Sequence, residues 1–87
     1  MKDMDKIEVN KALAVFDRII EKGEKEGDVF VLNGLVAEPS FDGYSVTIKD
    51  EKVALHIHFH NQFNVEYDSR KDFDEFMLKL ERAYQAD

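Results

Sequence analysis

Val29-Phe30-Val31-Leu32-Asn33-Gly34-Leu35-Val36-Ala37 sets two apolar runs on either side of an Asn-Gly pair, and that pair decides how the chain turns. Asn-Gly accepts the positive φ values of a type I′ turn, whose twist matches that of paired strands, so the stretch predicts a tight antiparallel hairpin. Pro39 lacks the N–H that a ladder needs and should end its strand or lie at an edge, and Asp42-Gly43 makes the next turn.

Beyond that turn the chain alternates with period two. Tyr44, Val46 and Ile48 oppose Ser45, Thr47 and Lys49; Val53, Leu55, Ile57 and Phe59 oppose Ala54, His56, His58 and His60. Phe63, Val65 and Tyr67 in turn oppose Asn64, Glu66 and Asp68. One sheet face is therefore apolar and the other polar. Cross-strand neighbours must share a face, which restricts the register. A three-residue loop at His60-Asn61-Gln62 pairs Phe59 with Phe63, Ile57 with Val65 and Leu55 with Tyr67. His58 then stands opposite Asn64, and His56 opposite Glu66. A tight turn at Asp50-Glu51 pairs Ile48 with Val53 and Val46 with Leu55, leaving Ser45 beside His56.

The sheet needs a cover, and two amphipathic segments supply it. Val9, Leu13, Phe16 and Ile20, with Ala12 and Ile19 beside them, form one stripe of a helix over residues 6–22, from which Val15 falls away. Asp5 and Glu8 have capping-box spacing, Gly23 reads as a left-handed stop, and Glu24-Lys25-Glu26-Gly27 as a polar link. A second helix over residues 70–85 carries Phe73, Phe76, Met77, Leu80 and Tyr84 on its stripe and is capped by Ser69 or Asp68. Leu78 falls off that stripe, and Asp74, Glu75, Lys79, Glu81 and Arg82 read as a solvated surface. With only one apolar sheet face available, both helices should pack on it. The expected fold is α+β: a two-layer sandwich, an antiparallel meander of four to five strands with N- and C-terminal helices on one face.

At 87 residues the chain has room for one core, so residues 1–87 read as a single α+β domain. With no Cys there is neither a disulfide nor a thiolate site, which suits a reducing, cytoplasmic setting. The charged start Met1-Lys2-Asp3-Met4-Asp5-Lys6 is no secretory signal, and no apolar run approaches the roughly twenty residues of a membrane span. A net charge of −7, with Lys and Arg scattered among acids, argues against nucleic acid. A protein partner or self-association is left as the expected kind of contact.

All three histidines fall in Leu55-His56-Ile57-His58-Phe59-His60, and the strand period puts them on the polar face. Same-face residues stand about 6.8 Å apart along a strand, so His56 and His60 are roughly 13 Å apart and cannot share an ion through this strand alone. Zn or Ni ligation would require His56, His58 and Glu66 together. Otherwise His56, His58, His60, Ser45, Asn64 and Glu66 form a polar surface suited to a ligand or partner without any cofactor. Ser45 beside His56 and Glu66 is the nearest approach to a catalytic set, on an open face with no oxyanion hole, so no catalytic residue is assigned.

The amphipathic helix ending in Glu21-Lys22-Gly23, then Phe41-Asp42-Gly43-Tyr44 before a hairpin, then Glu66-Tyr67-Asp68-Ser69 entering a Phe-rich helix, has a recognisable layout. It resembles small uncharacterised proteobacterial proteins grouped as a domain of unknown function. The resemblance implies a bacterial cytoplasmic protein and supplies no site residues. The function expected from the residues themselves is a non-catalytic interaction or regulatory module, using the polar sheet face or an edge strand.

Overall fold

A computed structural model describes residues 9–40, 45–58 and 62–85. The elements run α1 (Val9–Lys22), β1 (Glu24–Glu26), β2 (Val29–Leu32), β3 (Leu35–Pro39), β4 (Ser45–Lys49), β5 (Ala54–His58), β6 (Gln62–Glu66) and α2 (Arg70–Gln85). The strands form one antiparallel sheet in the order β1-β2-β3-β4-β5-β6, a meander with one strand more than the upper sequence expectation.

The additional strand is β1. Its three residues are charged and exposed, so no apolar alternation marks it. Pairing with β2 makes it a strand: Glu24 faces Val31, Lys25 faces Phe30 and Glu26 faces Val29. Gly27, at φ 63°, opens the two-residue turn, the φ pattern of type II′. The Gly27-Asp28 pair was the signal that could have revealed this hairpin, because Gly-Asp between two short runs is a turn chemistry. The hairpin at Asn33-Gly34 forms as expected, with φ of 53° and 83°, and Pro39 is the last residue of β3.

Gly23 serves a different purpose from a left-handed stop. It is absent from the glycines with positive φ, and a Cβ placed on it would stand 2.6 Å from the carbonyl oxygens of both Ile19 and Val31. Its N–H donates to Ile19 O at 2.8 Å. The last turn of α1 and the β2 backbone therefore meet at a position where only hydrogen fits.

Both helices bury their stripes in one cluster with the inward sheet residues Leu35, Ala37, Ile48, Leu55 and Ile57. Ala37 pairs with Ile48 and Ile48 with Leu55, so these residues share a face. The α1 stripe is Ala12, Val15, Phe16 and Ile19. Val15, expected off the stripe, is 0% exposed, while Leu13, expected on it, is 36% exposed. On α2 the stripe is Phe73, Phe76, Leu80 and Ala83. Tyr84 lies outside it, and Lys11 of α1 covers its ring at 4.9 Å. Lys11 also donates to Glu81 Oε1 at 2.9 Å. That hydrogen bond outweighs partial desolvation and, aided by the Gln85 amide, holds the Glu81 carboxyl below its ordinary pKa. Ser69 is the cap of α2, its Oγ accepting from the Asp72 N–H at 3.1 Å.

Candidate functional site

With both helices on the inner face, the outer face of β4, β5 and β6 presents Ser45, Thr47 and Lys49, then Ala54, His56 and His58, then Gln62, Asn64 and Glu66. This is the side that alternation assigned to the polar residues. The register within it differs from the expectation on both sides of β5. Leu55 pairs with Ile48 and Val65, and Ile57 with Val46 and Phe63. Consequently Ser45 faces His58, Thr47 faces His56, and His56 faces Asn64.

Each slip is two residues, which keeps every side chain on its expected face. Between β4 and β5 the cause is Asp50. Its Oδ1 accepts the N–H groups of Lys52 and Val53, both at 2.8 Å, and its own N–H donates to Val53 O at 2.9 Å. The loop is thus four residues long and closes around a carboxylate, in place of the expected tight turn at Asp50-Glu51.

One direct and two diagonal contacts link the polar side chains. Thr47 Oγ1 lies 3.0 Å from His56 Nδ1, and His56 Nε2 lies 3.7 Å from Glu66 Oε1. At 3.7 Å Glu66 is beyond hydrogen-bond reach of Nε2 but its charge favours a proton there, and in that tautomer Nδ1 accepts from the Thr47 hydroxyl. His58 Nε2 is 3.0 Å from Asn64 Oδ1. His56 and Glu66, expected as direct neighbours, are diagonal ones, as are His58 and Asn64. Thr47 takes the place beside His56 that the expected register gave to Ser45. The parity of β4 already placed Thr47 on this face, but only the four-residue loop brings it level with His56.

The backbone of Ser45 is tied to Ser40: Ser40 N donates to Ser45 O at 3.1 Å, and Ser45 N donates to Ser40 Oγ at 3.2 Å. Ser45 pairs with His58 and Thr47 stands opposite His56, so the register does not place the serine directly beside His56. His60 lies outside the described residues, as do Asp5, Glu8, Asp42, Gly43, Tyr44 and Phe59. Among the described residues no three His, Cys, Asp or Glu side chains are grouped closely enough to hold a metal ion, His56, His58 and Glu66 included.

The outer face changes character toward the other end of the sheet. Val29, Val31 and Val36 point outward there, partly buried, with Val31 paired to Val36 and Val36 to Lys49. Between these residues and the histidines lies a groove of about 640 Å³ lined by Asp28, Glu38, Pro39, Ser40, Thr47 and His56. Lys49 pairs with Glu38 at 3.2 Å, so that carboxylate already has a cation.

The two edges of the sheet contrast. β1 is short and carries only charges. β6 is five residues long, pairs among the described residues with β5 alone, and turns Phe63 and Val65 inward only half-buried, whereas Ile48 and Leu55 in the central strands are completely covered. Among the described residues, no helix is long and apolar enough to cross a membrane.

Among known proteins, a family model described as "Protein of unknown function (DUF3081)" matches residues 7–87. This agrees with the resemblance to a family without an assigned activity. No curated protein and no solved structure matches the chain.

Proposed function

We propose that the chain, which belongs to the DUF3081 family, is a non-catalytic protein-binding module that engages its partner along β6 and the adjoining polar strip of His58, Asn64 and Glu66. The observation that carries this reading is the state of β6. An edge strand leaves one row of backbone N–H and C=O groups without a neighbouring strand, and a partner segment can continue the ladder there. The half-buried Phe63 and Val65 offer apolar surface to the same added strand, while Gln62, Asn64 and Glu66 provide exposed polar groups for register. β1 offers none of this apolar surface.

The test is site-specific photo-crosslinking in cells, with the reactive group at Gln62 on one edge or at Glu24 on the other. Protein crosslinks at Gln62 and few at Glu24 are expected. Equal yields at both, or none at Gln62, overturn the reading.

A further inference from the structure

We propose that the occupant of β6 is a second copy of this chain, added antiparallel about a two-fold axis at Asn64 so that two sheets become one. This rests on the reading of β6 as the binding edge and names its partner. Charge separates the two edges. If two β1 strands met antiparallel in full register, Lys25 would face Lys25, and Glu24 would face Glu26 twice. Every pair would be of like charge, which blocks edge-to-edge association.

At β6 the same operation gives no like-charged pair. With the axis at Asn64, all five residues of the strand find partners: Gln62 faces Glu66 twice, Phe63 faces Val65 twice, and Asn64 faces Asn64. Inward residues meet inward residues, so the helices of both copies stay on one side and Phe63 and Val65 gain apolar neighbours. An axis at Phe63 or Val65 also preserves the faces but, within β6, pairs only the residues 62–64 or 64–66. An axis at Glu66 sets two carboxylates against each other. The Asn64 register is therefore the one that self-complementarity selects.

An edge contact of this length belongs with interfaces smaller than about 1,200 Å², so association is weak and rises with concentration. Each copy carries −7, and added salt strengthens pairing by screening that repulsion.

Sedimentation equilibrium of the full chain from micromolar to millimolar concentration tests the proposal. Dimers are expected at the upper end. Gln62→Lys sets unlike charges opposite Glu66 twice and Gln62→Glu sets like charges there, so dimer affinity should rise and fall respectively by roughly threefold to tenfold. Asn64→Lys, with two ammonium groups at the axis, should abolish the dimer. Because the chain has no native Cys, oxidation of an Asn64→Cys variant should give a covalent dimer, and a Glu24→Cys variant should not. A monomer at every concentration overturns self-pairing, and so does a dimer indifferent to changes at Gln62 and Asn64. In the monomeric case the broader reading is judged separately: Gln62 crosslinks to other proteins retain β6 as a binding edge, and their absence removes it.

Discussion

Lys79 Nζ, on α2, lies 3.1 Å from Asp50 Oδ2, in the loop between β4 and β5. The Asp50 side chain is only 5% exposed, and its other oxygen accepts two backbone N–H groups of the same loop. One carboxylate thus shapes the loop that sets the β4 and β5 register and ties that loop to the helix beneath. Lys79, which helical spacing assigned to the solvated surface, is half-buried as its partner.

Asp50→Ala should therefore destabilise the fold by about 2 kcal/mol, because it leaves two loop N–H groups and the Lys79 ammonium without their acceptor. Lys79→Met, which leaves the loop hydrogen bonds in place, should cost less. Urea unfolding of the two variants checks the order, and an equal loss in both would show that the ion pair alone carries the effect.

Acid stability should depend on the same group. Burial raises the Asp50 pKa, but the Lys52 N–H, the Lys79 ammonium and the Val53 N–H together outweigh it and hold the pKa below the ordinary aspartate value. A depressed folded pKa stabilises the protein above the unfolded pKa of about 3.9, and the gain is lost as pH falls through the folded value. The Tm of wild type should therefore drop more steeply below that point than the Tm of Asp50→Asn. Parallel acid limbs would remove Asp50 as their cause.

Gly23→Ala should be more disruptive than Gly27→Ala. At Gly23 the new methyl meets two backbone oxygens at 2.6 Å, and neither can rotate away. Overpacking of this kind costs about 1 to 3 kcal/mol, and rigid neighbours put it at the upper end. Gly27 has φ 63° with nothing within 4 Å of an added Cβ, so there the cost is conformational strain alone, about 1 kcal/mol. Thermal unfolding of the two variants reads the difference directly.

The tautomer of His56 gives a check on the polar face. With Thr47 at Nδ1 and Glu66 near Nε2, the neutral ring should carry its proton on Nε2. Thr47→Val removes the hydroxyl donor and should shift the imidazole ¹⁵N resonances of His56 toward a mixture of tautomers, leaving those of His58 unchanged. Unaltered His56 resonances would mean that the Thr47 contact does not set the ring.

Several elements are legible in the sequence alone. Asn33-Gly34 announced its hairpin, Ser69 or Asp68 announced a helix start, and the alternation from Val46 to Glu66 put His56 and His58 outside. Val15 and Leu13 exchanged roles because the arc of α1 that packs inward is the one holding Ala12, Val15, Phe16 and Ile19, a rotation about the helix axis that packing sets and spacing alone does not. On α2 the same rotation leaves Tyr84, expected on the stripe, exposed, and brings Ala83 inward. Of the candidate site, the face was legible and the neighbours were not: Thr47 stands beside His56 where Ser45 was expected.

Side-chain period is a local property of an extended chain, so the sequence by itself determined which residues of β4, β5 and β6 face inward, and neither register slip turned a residue over. Which residues stand side by side depends on loop length, and that was decided by tertiary structure, where Asp50 gathers two N–H groups and Lys79. The same holds for β1: Glu24-Lys25-Glu26 has no apolar face to declare itself, and only hydrogen bonding to β2 makes it a strand. At the opposite edge, β6 owes its edge position to the place the meander gives it, last in the sheet.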